Sequence, residues 1–469
     1  MRPVLGACAV SLLALALAAC QASVAAPAPC NDDPAATYAD PGQLEGDVGH
    51  VLRCAQDGTL TAADVDRIAR TSGYVGDPLP SGASIIRLLY RTERGSDPVQ
   101  PGFASAVVLL PEQPRAATLP VIVVAHGTVG QAPGCPPSRE APTGAETYLA
   151  ELGYPLVGAG YAVILPDFAG YAAFGAPGNP PSGYHDASDE AKSVLDAARA
   201  LRAVRPALFS GDTVLVGHSQ GGHAVLSALA LHATYGSGGD LVGVVAYAPS
   251  WFPMTSFGAL LATPADYPLA TEYQTVAASV WYHYSHAELL DGPGAGPLLF
   301  AESRREAIRS FFEQSCDTAA IVPMGSTIAD LFDPAFAESV IPATLGIVCR
   351  DATCEKWQAR YQADRPHITG DAARVPVLVV YGDADDWIPA ERETCGFDRL
   401  EADHANATVC IVAGAKHDPV VGARSQYVSA WIAAKTLGGP DPGTCGPGRE
   451  ALLDAAGAPA ACAALPPNE

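Results

Sequence analysis

The sequence predicts an α/β fold: a doubly wound, mostly parallel sheet with a large, mainly helical cap inserted late in the chain. Three observations carry this prediction. Apolar runs at 121–125, 162–165 and 377–380, and the β-branched and apolar run at 213–216, read as strands buried on both faces, which a parallel sheet covered by helices requires. Helical periodicity follows such runs, at 187–201 and 224–231, and strand–helix alternation is the signature of parallel crossovers. The alternation stops near 250 and resumes at 375, so residues 251–374 stand outside the sheet.

Taken in order, the chain opens on Arg2 followed by "VSLLALALAA", an apolar run too short to span a bilayer and suited to an export signal. The signal, 1–19, ends in Leu17-Ala18-Ala19-Cys20, which resembles the bacterial lipobox, where the cysteine is lipidated and attaches the protein to a membrane. An ordinary signal peptide with an incidental cysteine is the other reading. Gln21 resembles the residue found in lipoproteins sent on to the outer membrane, and the Pro/Ala-rich stretch 20–40 reads as a tether.

Charge and cysteine content narrow the setting. The chain carries 27 basic and 50 acidic residues, a formal net charge of −23, with no basic cluster, which argues against nucleic acid or an anionic lipid surface as partner. With 469 residues and 49% apolar content it can bury a large core. Apart from Cys8 and Cys20, ten cysteines remain, an even number that fits disulfides in an exported protein. No CxxC pair or zinc-spaced His/Cys cluster supports metal binding instead. Connectivity does not follow from spacing; pairing sequence neighbours gives 30–54, 349–354, 395–410 and 445–462, which leaves Cys135 with Cys316.

The core is expected at 41–250 and 375–436, with a disulfide-linked tail at 437–469. Residues 84–92 and 103–110 read as two strands joined by a Gly/Pro/Asp turn. The strand at 121–125 ends in His126-Gly127-Thr128. The strand at 213–216 runs into "GHSQGGHA", where Ser219 sits at the tip of a sharp strand-to-helix turn and Gly217, Gly221 and Gly222 remove the side chains that would clash there. This is a nucleophile elbow, weak as a pattern alone.

Its context strengthens it. After the strand at 377–380, "GDADDWIP" offers Asp383, Asp385 and Asp386; Asp385 is preferred because Gly382, Asp385, Ile388 and Pro389 fit the spacing G-x-x-D-x-x-[VI]-P. After the last strand, "TVCIVAG", comes His417, where a general base is required; His404 precedes that strand, and His218 is an elbow neighbour. The order Ser219, Asp385, His417 suits the topology. Residues 251–374 hold 15 of the 34 aromatic residues, which would form a cap with an apolar pocket over the elbow, a helical subdomain with its own core, or both.

On "RTERGSDPVQPGFASAVVLLP", "AHGT", "GHSQGGHA", "GDADDWIP" and "GAKHD", the chain resembles the α/β-hydrolases, and within them the secretory lipase family and its bacterial relatives, over about 80–436. The resemblance implies a cap between core strands six and seven, and backbone N–H groups of Thr128 and Gln220 as the oxyanion hole. It implies a Ser-His-Asp mechanism on carboxylic esters through an acyl-enzyme, with no metal or organic cofactor. Two other readings stay open: a serine hydrolase on amides, peptides or polymeric esters, with Glu302, Glu306 and Glu313 available to a substrate amine, and a non-catalytic surface lipoprotein.

Overall fold

Nine strands form one sheet in the computed structural model, which describes residues 28–452 apart from 97, 146, 264 and 265. The signal segment and Cys20 lie outside the described residues. In chain order the strands are β1 (Val51–Leu60), β2 (Ala83–Arg94), β3 (Gln100–Pro111), β4 (Leu119–Ala125), β5 (Val163–Ala169), β6 (Phe209–His218), β7 (Asp240–Tyr247), β8 (Val377–Gly382) and β9 (Ala407–Val412). Across the sheet they run β1-β2-β3-β5-β4-β6-β7-β8-β9. β5, β4, β6, β7, β8 and β9 are mutually parallel, while β3, β2 and β1 continue one side as an antiparallel meander. Every residue of β4, β5 and β8 is buried, which is why each carries an apolar run; the Asp167 carboxylate in β5 accepts from Ser105 and from the Ser138 N–H.

The helices α1 (Ala62–Thr71), α2 (Tyr154–Gly158), α3 (Ala187–Val204) and α4 (Gln220–Tyr235) precede β7 or lead into it. Between β7 and β8 come α5 (Tyr273–Leu290), α6 (Arg305–Gln314), α7 (Pro334–Thr344) and α8 (Ala352–Ala363), and the chain then adds α9 (Ala390–Ala402) and α10 (Pro419–Thr436). α3 and α4 pack together on one face of the sheet; α10 packs with α2, and α2 with α1, on the other. From β4 the chain moves to β5 on one side, and from β6 it moves to β7 on the other. The carboxyl ends of β4 and β6 are therefore a topological switch point, where connections part and leave a crevice.

The insertion lies where expected, between the strands before 250 and at 377–380; these count as seven and eight here because β1 adds a strand at the sheet's edge. Its sequence, "VLRCAQDGTL", lacks an apolar run: it is an edge strand with several residues facing solvent. Of the stretch 20–40 expected as a tether, the part within the described residues packs on the fold. Cys30 is bonded to Cys54, Thr37 is buried, and the Arg53 guanidinium donates to the Ala39 and Asp40 carbonyls at 3.1 Å each.

Cysteine pairing needs a correction. The bonds 30–54, 135–316 and 349–354 are present, but Cys410 pairs with Cys445, which overturns both 395–410 and 445–462. The tail returns along the β9 edge, where Ile411 N–H donates to Pro447 O at 2.9 Å and brings Cys445 beside Cys410. Cys395 is itself disulfide-bonded, and Cys462 lies outside the described residues.

Residues 251–374 contain no strand among those described, and they build a second apolar core from Trp281, Phe311, Phe312, Trp357 and Tyr361. Its rings pack closely: Trp281 stacks on Phe311 at 5.2 Å and Tyr284 on Phe312 at 4.1 Å between centroids. A buried polar seam joins this core to the sheet domain. Asp364, which ends α8, accepts hydrogen bonds from Tyr282 (2.6 Å) and His286 (2.8 Å) of α5 and from the Ala187 N–H of α3 (3.0 Å).

The Cys135–Cys316 bond closes a loop of sequence separation 181 and joins the segment after β4 to the end of α6. Replacing both cysteines by serine should lower unfolding free energy by about 2–5 kcal/mol in urea titrations. Non-reducing peptide mapping of the intact protein should recover Cys410 joined to Cys445.

Candidate active site

The turn from β6 into α4 forces Ser219 into a positive φ of 56°, a conformation that costs a non-glycine residue of order 1–3 kcal/mol. Packing holds it there. The Ser219 N–H donates to Tyr247 O at 2.9 Å, and its carbonyl accepts from His223 N–H at 3.1 Å. The flanking glycines are required by close approach: a Cβ on Gly217 would lie 2.0 Å from Gly221 O, and one on Gly221 would lie 2.0 Å from Ala125 O. The side chain of Ser219 is thereby presented at the switch point between β4 and β6.

Loops after β8 and β9 carry the other two residues of the constellation to the same crevice. The Asp385 carboxylate receives His417 Nδ1 at 2.8 Å and the N–H groups of Trp387 and Ile388 at 2.8 Å each. Nδ1 therefore carries the proton, which leaves Nε2 with its lone pair. That Nε2 is buried with no hydrogen-bond partner, and His417 shares a cavity wall with Ser219. The neighbouring aspartates brace the same loops: Asp383 accepts from Gly414 N–H at 2.6 Å, and Asp386 pairs with Lys416 at 2.9 Å. His218 supports the base from below, its Nε2 donating to His417 O at 3.1 Å. Burial and the adjacent His417 hold His218 well below the ordinary histidine range, so it is neutral. His404 is exposed on the far side of β9 in sequence and takes no part.

Thr128 and Gln220 flank Ser219 from two elements. Gln220 begins α4, so its N–H is one of the helix's first-turn donors without an intrahelical acceptor. Thr128 follows β4 and shares a 2.8 Å hydrogen bond with Tyr184 through its hydroxyl. The Gln220 side chain is anchored beneath by Glu190, whose Oε1 accepts from it at 2.7 Å while Oε2 meets His223 Nδ1 at 3.0 Å. Burial raises the Glu190 carboxyl; burial lowers His223, but its contact with Glu190 outweighs this and lifts it above the ordinary value. Tyr184 and Glu190 escaped the sequence reading, although Glu190 carried a signal: it lies on the apolar stripe of α3 with Val194, Ala197 and Leu201.

Among the described residues, three groups of histidines and carboxylates bring potential metal ligands within 4.8 Å of one another: His185/Glu190/His223, Asp186/His286/Asp364 and His218/His417/Asp418. Several of their atoms already serve the protein. His223 donates through Nε2 to Asp364 O at 2.6 Å, His286 through Nδ1 to Tyr282 O at 2.8 Å, and His218 to His417. In the first and third groups His185 Nδ1 and His417 Nε2 are buried without a hydrogen-bond partner.

Two cavities meet at Ser219. One, about 420 Å³, runs under the inserted helices; Trp251, Phe252, Phe257, Leu260 and Ala278 make its wall mainly apolar, with Glu272, Gln274 and Arg392 among its polar residues. The other, about 340 Å³, opens beside His417. Thr128, Ser219 and Trp387 line both. Glu302, Glu306 and Glu313 line neither; Glu306 pairs with Arg309, and Glu313 borders a separate cavity.

With this geometry described, the class can be stated: the chain belongs to the alpha/beta hydrolase family, whose sequence model matches residues 122–430. No curated protein matches the chain in sequence. Solved structures share its fold. A Legionella pneumophila protein crystallised as a candidate hydrolase is 17% identical with a TM-score of 0.65, covering 82% of this chain and 98% of that one. The rice cell wall degrading esterase LipA of Xanthomonas oryzae is 17% identical, TM-score 0.60, covering 82% and 97%. Candida antarctica lipase A is 14% identical, TM-score 0.61, covering 92% and 94%.

Two measurements follow from the site's packing. Gly221→Ala should destabilise the protein by about 1–3 kcal/mol in denaturant titrations, because its methyl group meets backbone that cannot rotate away. Glu140, on the second cavity, has its carboxyl pushed up to about 7 by burial, although Tyr148 and Leu149 N–H groups donate to it. The folded protein thus keeps a proton that the unfolded chain loses near 4.5, and this contribution to stability falls as pH rises through that window. Relative to Glu140→Gln, wild type should lose at most about 3 kcal/mol between pH 4.5 and 7 in urea titrations.

Proposed function

We propose that this hydrolase is an exported serine esterase or lipase that cleaves carboxylic esters through Ser219, His417 and Asp385. The observation that carries the proposal is a buried, unpartnered His417 Nε2, oriented by Asp385 and sharing a cavity wall with the serine of a strained elbow. In this reading His417 Nε2 takes the Ser219 proton as the oxygen attacks the ester carbonyl. Asp385 holds the imidazole tautomer and stabilises the imidazolium. The Thr128 and Gln220 N–H groups receive the developing oxyanion, each contributing about 3–4 kcal/mol in comparable sites. His417 then protonates the departing alcohol, an acyl-enzyme remains, and water activated by His417 releases the acid. None of these steps calls for a metal or organic cofactor.

The apolar cavity under the inserted helices supports an acyl chain as the bound group. Glu302, Glu306 and Glu313, the carboxylates the amide reading called on, line neither cavity at Ser219, so they lend it no support. Export is supported by the disulfides, which persist in oxidising compartments. No helix among the described residues is long and apolar enough to cross a membrane, and attachment through a lipidated Cys20 is the anchor this reading assigns.

Hydrolysis of p-nitrophenyl esters from acetate to palmitate should peak at medium chain length. Ser219→Ala should abolish it, and Asp385→Asn should lower kcat by about 10⁴. Folded, disulfide-bonded protein with no activity at any chain length would overturn the proposal.

A further inference from the structure

The two cavities that meet at Ser219 differ in chemistry, and the difference gives each a role. This step rests on the ester-hydrolase reading above. In that mechanism His417 returns its proton to the departing oxygen, so the leaving group must lie on the His417 side of the serine. Only the second cavity includes His417 in its wall. The acyl group then occupies the first, apolar cavity, with Thr128 at the junction where the carbonyl oxygen must sit.

The leaving-group cavity is acidic and aromatic. Glu140, Glu151 and Asp418 line it, with Tyr148 and Trp387, and no lysine or arginine is among its lining residues. Lys416, next to the base in sequence, is engaged with Asp386 at 2.9 Å. Glu140 directs its carboxylate at the Tyr148 and Leu149 N–H groups, while the Asp418 side chain is 64% exposed. Glu140, its carboxyl pushed up to about 7 by burial, adds little negative charge, which leaves Glu151 and Asp418 as the carboxylates of this wall. Carboxylates beside aromatic rings attract cations, quaternary ammonium groups above all, and repel anions. The unpartnered His417 Nε2 in its wall, the atom that the mechanism above uses, marks it as a place where a substrate group belongs.

We propose that this cavity is the leaving-group subsite and that it selects esters whose alcohol carries a positive charge, such as a quaternary ammonium alcohol. Glu151 and Asp418 supply the attraction, and Tyr148 and Trp387 supply the ring faces.

The test compares kcat/KM for butyrylcholine with that for 3,3-dimethylbutyl butyrate, in which carbon replaces the charged nitrogen, on the full chain. p-Nitrophenyl butyrate with Ser219→Ala reports whether the ester reading holds at all. The charged ester should be preferred about tenfold, which corresponds to about 1.4 kcal/mol. The ratio should fall toward one in about 0.5 M salt, because Asp418 is exposed and screened. It should fall likewise in Glu151→Gln/Asp418→Asn, whose folding is checked by its melting temperature; Asp418→Asn alone serves if the double variant does not fold. If neither alkyl ester turns over, choline and 3,3-dimethylbutan-1-ol are compared as competitive inhibitors of p-nitrophenyl butyrate hydrolysis, with choline expected to bind about tenfold more tightly. Ser219-dependent hydrolysis with a charged-to-neutral ratio at or below one, or a ratio unchanged in the variants, would overturn the subsite and leave the ester reading standing. No hydrolysis of any ester would overturn both.

Discussion

One backbone conformation organises this molecule: the left-handed turn at Ser219, held where β6 hands over to α4. It can exist only because three chain segments approach without side chains between them, Gly217 against Gly221 and Gly221 against Ala125. The same contacts place the end of β4, and with it Thr128, beside the first turn of α4. The strain is therefore part of the architecture: relaxing it would move the serine, the helix's first amides and the β4 loop together.

Around that turn the supports are of two kinds. Local ones come from the loops after β8 and β9, where three aspartates in one short stretch do three jobs: Asp383 ties the facing loop, Asp385 orients His417, and Asp386 pairs with Lys416. Remote ones come through buried charge. Glu190 holds the Gln220 side chain and His223, His223 reaches Asp364, and Asp364 gathers Tyr282 and His286 from the inserted helices. The elbow and the insertion are thus joined by one continuous hydrogen-bonded chain of side chains and backbone, expensive to leave half satisfied.

Much of this was legible in the sequence, and what was not has physical reasons. The buried strands announced themselves because both their faces are covered, and the elbow because its glycines answer a local steric demand. The order of Ser219, Asp385 and His417 followed from topology. β1 was missed because an edge strand needs few apolar residues. The Cys410–Cys445 bond was missed because it depends on where the tail runs, a long-range matter on which spacing is silent. Glu190 was passed over as a charge on a helix, although its place on an apolar stripe is unusual unless it is paired. The cap's dual nature was open, and both descriptions hold: it has its own aromatic core and it roofs the apolar cavity.

The bond between Cys135 and Cys316 has a mechanical consequence. It pins the end of α6 to the loop that also walls the cavity beside His417, with the two Cα atoms 5.5 Å apart. While that bond is intact the end of α6 cannot separate from the β4 loop. The Asp364 seam fastens the insertion to the sheet domain a second time, through the Tyr282, His286 and Ala187 hydrogen bonds. One fastening is covalent and the other is a set of hydrogen bonds, so the insertion is held to the sheet by two joints of different strength.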